Sequence, residues 1–176
     1  MIRRITLFAI ITAAFATVGC KKKEGVADQS SKTAEVPKEG CGTDYADPAK
    51  QFCVKLPPGY ALETSHKDDS GTTFEFKGPE MRFDVLVWSN PTFTYDYQLG
   101  IYGDAMKKPD HTDVESGGTP GQTQWWAYKF GTDTKLITAL AKSSAGMAMQ
   151  CESNGSPVPP EIMDACKTLR PYPAAK

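Results

Sequence analysis

Five cysteines, Cys20, Cys41, Cys53, Cys151 and Cys166, carry most of the chemistry available to this 176-residue chain. An odd count in an exported protein leaves one sulfur over. With Cys20 set apart, four remain, and four can pair in three ways. The favoured pairing is Cys41 with Cys53 and Cys151 with Cys166, because each pair is local and flanks its own turn-rich segment. A closed loop of that size adds about 3 kcal/mol in the chain-entropy account of disulfides. The cysteines do not read as metal ligands, since there is no Cys-x-x-Cys and the two histidines, His66 and His111, are far apart in sequence. Each histidine has an acidic neighbour, Asp68 or Asp113, but each sits in a hydrophilic, turn-like stretch and reads as a surface residue. Met147 and Met149 would share a strand face, and paired thioethers can hold Cu(I). With no histidine or third methionine near them in sequence, they read as core packing. No serine stands in a Gly-x-Ser-x-Gly setting. The sequence therefore assigns no catalytic residue, no metal ligand and no cofactor.

What sets Cys20 apart is the segment before it. Arg3 and Arg4 lead an apolar run of about 14 residues, and Val18-Gly19 then precedes the cysteine. A basic start, a short apolar stretch and small residues at its end make an export signal. The run is shorter than the roughly 18 residues of a membrane span. The ending resembles the bacterial lipoprotein signal, in which signal peptidase II cuts before a cysteine that then carries acyl chains such as palmitate. Thr17 stands where that family has Leu, Val or Ile, which leaves open an ordinary cut after Ala14-Phe15-Ala16 and a soluble product. By the sorting rules of the better-known lipoproteins, Lys21 after the cysteine implies the outer membrane.

The domain plan follows as signal 1–19, tether 20–40 and a single globular domain 41–176. The tether is charged and nearly free of large apolar residues, a composition that cannot bury a core. As a coil of about 20 residues it reaches roughly 25 Å. Lys21, Lys22 and Lys23 either meet anionic headgroups, at about 1 kcal/mol each, or are simply solvated. From Cys41 onward 13 basic residues face 17 acidic ones, a net charge of −4. A nucleic-acid partner is not expected, for want of a basic face.

The elements that must position any site are mostly strands. Residues 51–56, 60–65, 72–77, 81–88, 122–130, 135–142 and 145–151 read as strands from their alternation and flanking turns, with a short one near 112–115. Tyr95, Leu99, Tyr102 and Met106 recur at helical spacing, and Pro160 opens a second helix with Ile162, Cys166 and Leu169 on one face. The expected class is α+β, a mainly antiparallel sheet of about six to seven strands with two packed helices, stapled by disulfides.

Two strings resemble known families. Asp69-Ser70-Gly71-Thr72 is similar to the aspartic-protease loop, but the polar residues before it and the lack of a second copy make it a hairpin turn. The opening Phe52-Cys-Val-Lys-Leu-Pro-Pro-Gly-Tyr60 and the ending Cys166-Lys-Thr-Leu-Arg170, with the element order between them, resemble the PsbP-like α/β/α sandwich. That family includes small bacterial envelope lipoproteins and Mog-type Ran-binding proteins. The resemblance implies a non-enzymatic assembly factor, carrier or scaffold, and it brings no active-site residues with it.

The remaining candidates are aromatic. Alternation sends Trp125 and Trp126 to opposite faces. Trp126 is expected in the core with Tyr128 and Phe130. Trp125 is expected either beneath a helix or exposed in a partner patch to which Trp88 and Phe93 contribute. The functional expectation is a membrane-tethered envelope lipoprotein acting as a non-enzymatic binding or assembly module for an unknown envelope protein or ligand. The alternatives are an exported hydrolase with a dispersed site and a purely structural surface protein.

Overall fold

The alternating segments become strands. A computed structural model describes residues 40–79, 81–119, 121–131, 134–153 and 157–173. The signal, Cys20, and Lys21 to Lys23 lie outside the described residues, as does all of the tether but Gly40. In chain order the elements are β1 (Tyr45–Ala46), β2 (Phe52–Val54), β3 (Ala61–Lys67), β4 (Gly71–Lys77), β5 (Arg82–Trp88) and α1 (Tyr95–Ala105). There follow β6 (His111–Thr119), β7 (Thr123–Phe130), β8 (Thr134–Lys142), β9 (Ala148–Ser153), α2 (Pro160–Lys167) and β10 (Arg170–Pro171).

Seven strands form one antiparallel sheet in the order β3-β4-β5-β9-β8-β7-β6, and β1-β2-β10 form a second, small sheet. The large sheet is two meanders, β3 to β5 and β6 to β9, joined where Val85 pairs with Cys151. One face buries Phe74, Phe76, Phe83, Val85, Ile137 and Met149 against Phe52 and Val54 of β2 and Ile162, Ala165 and Leu169 of the α2 segment. Burying each large side chain of this kind contributes roughly 1.5–3 kcal/mol. The opposite face packs Trp126, Tyr128 and Leu140 under α1 through Tyr95, Leu99, Tyr102 and Met106. Helices thus lie on both sides of the sheet, and the α+β expectation fits.

Local chemistry sets the helix ends. The Thr94 hydroxyl accepts the Tyr97 N–H at 3.3 Å and caps α1. In α2, Pro160 occupies the first turn, where its missing N–H costs nothing, and Lys167 sits in the last turn, where a cation suits the helix dipole. Disulfides join Cys41 to Cys53 and Cys151 to Cys166, the local pairs favoured by spacing. The second ties the central strand β9 to α2. Arg170 donates to the Asp44 carboxylate at 2.6 Å and to the Cys41 carbonyl at 3.2 Å, so β10 is tied to the segment before β1.

Two strands depart most from their expected bounds. The short strand foreseen at 112–115 runs from His111 to Thr119 and carries a bulge between Thr112 and Glu115. The last long strand begins at Ala148, because 143–146 form a turn in which the Gly146 N–H donates to the Ser143 carbonyl. The small sheet was not foreseen, since β1 and β10 have two residues each and show no period.

Candidate functional site

α1 covers only part of its face of the sheet. It rests on β8 and β9. Over β3 to β5 the same face carries Thr64 and His66 exposed, with Thr73, Glu75, Asp84 and Leu86 half-buried. Where this open half meets the start of α1, aromatic rings collect. Trp88 ends β5, and its ring centroid is 4.2 Å from that of Phe93 in the loop before α1. The Phe93 ring is 6.4 Å from that of Tyr97 in the first turn. Tyr97 is 49% exposed and Ile101, one turn further, 46%. Two large apolar residues therefore point to solvent on a helix that already buries an apolar stripe beneath it.

On the same face of the sheet, four residues back along β5 from Trp88, runs a row of acids. Glu75 on β4 pairs with Asp84 on β5, and Asp84 pairs with Glu152 on β9, so three carboxylates lie side by side on one face. Basic side chains and one imidazole gather at the Glu75 end. Arg82 stands 3.6 Å from Glu75 and 2.8 Å from Glu63, Lys77 is 3.0 Å from Glu63, and His66 is 3.5 Å from Glu75. At the α1 end, the Gln150 Nε2 donates to Glu152 Oε2 at 2.7 Å and to the Tyr102 hydroxyl at 2.6 Å. Burial, with the negative charge of Glu152 adding to it, pushes the Tyr102 phenol up to about 12, so it stays neutral. Gln150 Oε1 is buried with no hydrogen-bond partner.

The sequence candidates scatter. Trp125 lies on the opposite face of the sheet, half-buried against the α2-side core, with the Lys167 ammonium 4.7 Å from its ring centroid. It therefore does not join Trp88 and Phe93 in one patch. Trp126 is buried and stacked on Tyr102, but Phe130, the last residue of β7, is 48% exposed. His111 is not a surface residue: its side chain is 11% exposed, packed between Tyr128 and Phe130, with Nδ1 2.8 Å from Asp110. Met149 is fully buried, whereas Met147 precedes β9, is half-buried and pairs with Thr94 in an isolated bridge. Asp69 and Ser70 sit in the β3–β4 turn, which Asp68 holds by accepting the N–H groups of Ser70 and Gly71. Those bonds keep the Asp68 carboxyl below its usual range.

Among the described residues no three His, Cys, Asp or Glu side chains are grouped to hold a metal ion, and no helix is long and apolar enough to cross a membrane. A cleft of about 490 Å³ opens between the β6–β7 turn, the β8–β9 turn and Arg170 to Pro173. Its two cations are already engaged, Arg170 with Asp44 at 2.6 Å and Lys142 with Asp96 at 3.5 Å.

No protein-family model matches this chain. No curated protein matches it either. Among solved structures the chain is similar to the solution structure of cyanobacterial PsbP (CyanoP) from Synechocystis sp. PCC 6803. The identity is 10% and the TM-score 0.43, over 73% of this chain and 91% of that one.

Proposed function

We propose that this protein is a lipid-anchored bacterial envelope protein, held through Cys20 at the outer membrane, whose PsbP-like domain acts as a non-enzymatic binding or assembly module. The anchor and its address rest on the sequence before and after Cys20. The family reading rests on the Phe52 to Tyr60 and Cys166 to Arg170 strings, which form β2 with its turn and the α2–β10 junction. The observation that carries the binding function is the aromatic strip of Trp88, Phe93 and Tyr97, continued by Ile101 on the outer side of α1. Aromatic anchors held at a helix start are the residue types that dominate protein interfaces, and here half-buried Trp88 and Phe93 lead to exposed Tyr97 and Ile101, the kind of apolar surface that marks a contact.

The test is a photo-crosslinking residue in place of Tyr97 in living cells, with the same residue at exposed Glu161 on α2 as control. A discrete adduct from position 97 and none from 161 is expected. Equal labelling from both positions overturns the binding reading.

A further inference from the structure

We propose that the end of the large sheet at which the chain enters the domain, beside Gly40, rests on the bilayer, with Trp88, Phe93 and Tyr97 at headgroup depth. The lipid surface is then the occupant of the docking strip. This rests on the anchor and docking readings above and names what the strip meets.

Topology supplies the first argument. Register sets Trp88 opposite Gly71, Val87 opposite Met149, Ala148 opposite Lys142 and Ala141 opposite Thr123, so these positions share one end of the sheet. The β6–β7 turn, the β8–β9 turn and the loop from Trp88 into α1 all lie there. The β8–β9 turn holds that loop, since the Tyr95 N–H donates to the Gly146 carbonyl at 3.0 Å and the Ala148 N–H to the Phe93 carbonyl at 3.2 Å. Gly40 belongs to the same end. A Cβ on it would lie 2.7 Å from the Tyr172 ring, and Tyr172 lines the cleft with Gly121, Gln122, Ser143 and Ser144. A coil of about 20 residues from Cys20 reaches roughly 25 Å. A lipid-held domain therefore offers this end to the bilayer at roughly millimolar effective concentration, at which a weak surface contact is populated.

Charge supplies the second argument. Residues 88–95, 119–123 and 143–148, the three connections at this end, include no charged residue and no histidine. At the other end Lys77 faces Arg82 across the β4–β5 turn, Lys129 faces Lys135 across the β7–β8 turn, and Lys107 and Lys108 follow α1. The charges bordering the strip are paired, Asp96 with Lys142 at 3.5 Å and Asp104 with Lys107 at 2.8 Å. The charged exception is Lys67-Asp68-Asp69 in the outermost hairpin, where the Ser70 carbonyl accepts the Ser89 N–H at 2.9 Å. An end with few charges seats against a bilayer without stripping water from ions. Trp and Tyr are the side chains that collect at membrane–water interfaces, with the ring among apolar groups and the polar edge in water. Exposed Ile101 continues the strip along α1, as on helices that lie in the plane of a membrane surface. With its border charges paired, the strip suits zwitterionic headgroups.

The experiment reconstitutes the acylated full chain in phosphatidylcholine vesicles, with a photo-crosslinking residue in place of Tyr97, Ser144 or Glu161. Ser144 is exposed in the β8–β9 turn. Glu161 lies in the first turn of α2 at the opposite end, where the Val158 N–H donates to the Lys135 carbonyl at 3.1 Å. Intact mass is expected to show a phospholipid adduct from positions 97 and 144 in about tenfold excess over 161, as for a docked domain held at one end. Ile101→Ser is expected to cut the yield at 97 about three- to tenfold through lost apolar burial, and Ile101→Leu to leave it unchanged. Equal lipid labelling from 97, 144 and 161 overturns the proposal, since a domain hanging freely on its tether turns every face to the bilayer. A protein-sized adduct from 97 in cells, without a phospholipid adduct in vesicles, also overturns it and leaves the docking surface standing. No adduct from 97 in either setting sinks both, whereas a native chain without acyl groups sinks the anchor and this proposal together.

Discussion

Asp47 is the residue whose chemistry is least comfortable in this fold. It is 1% exposed, and its Oδ1 accepts the Gln51 N–H at 2.6 Å while Oδ2 is buried without a partner. Desolvation outweighs the backbone hydrogen bonds and raises its pKa above 3.8. The neighbouring Tyr45 phenol is pushed up to about 12 by the same burial and by the Asp47 charge. A carboxyl with a raised folded pKa contributes stability that is fully present below its unfolded pKa and is lost as pH rises through the folded value. Asp47→Asn keeps the acceptor for Gln51 and removes the charge. The variant is therefore expected to compare best with the parent at neutral pH and to lose that advantage as pH falls toward 3.8. Thermal midpoints of both proteins across that range check it, and a gap that widens toward acid would contradict it. Gly117 poses a steric question instead. A Cβ there would lie 2.7 Å from the Trp125 ring. Gly117→Ala is expected to cost about 1–3 kcal/mol, the usual penalty for overpacking, and to shift Trp125 emission. Little of this was legible beforehand, because Asp47 in Asp-Pro-Ala-Lys looks like an exposed turn until β1 and β2 close over it.

At the level of elements, the disulfide from Cys151 to Cys166 fixes α2 to β9 across 15 residues of sequence. Replacing both cysteines by alanine is expected to lower stability by about 3 kcal/mol. Denaturant titration of oxidised parent and variant measures this directly, and an unchanged midpoint would show that packing alone holds the helix. The strongly alternating strands were legible, since Phe83, Val85 and Val87 announce their buried face without help. β6 was only half legible, because Ser-Gly-Gly has little strand propensity and depends on β7 for its conformation. The proposed docking surface was legible in part. Trp88 and Phe93 were visible candidates, but Tyr97 and Ile101 passed unnoticed beside the inward stripe of Tyr95, Leu99, Tyr102 and Met106. The available signal was a short helix apolar on two sides rather than one. The acid row left no trace in sequence, since Glu75, Asp84 and Glu152 meet only through strand register.

For the whole molecule, the decisive prediction concerns its anchor. Intact mass of the native protein extracted from membranes is expected to show a chain beginning at Cys20 with two or three acyl chains. Its other four cysteines should be alkylated only after reduction, as the two disulfides require. A water-soluble chain beginning at Thr17 with a free Cys20 would overturn the anchor and turn Cys20 into a candidate for intermolecular pairing. The seam between the two meanders has a consequence of another kind, in time rather than in space. Strands β3 to β5 pair with neighbours in sequence, and so do β6 to β9, but the seam joins residues 83–87 to 149–153. Contacts that close long loops form late, because their entropy must be lost before they are rewarded. The chain should therefore assemble as two local ribbons that zip along one line. Pulsed hydrogen exchange during refolding should protect amides within each ribbon before those of the seam. The Cys151–Cys166 bond, which leaves the seam strand for α2, would then act as the latch on its last step.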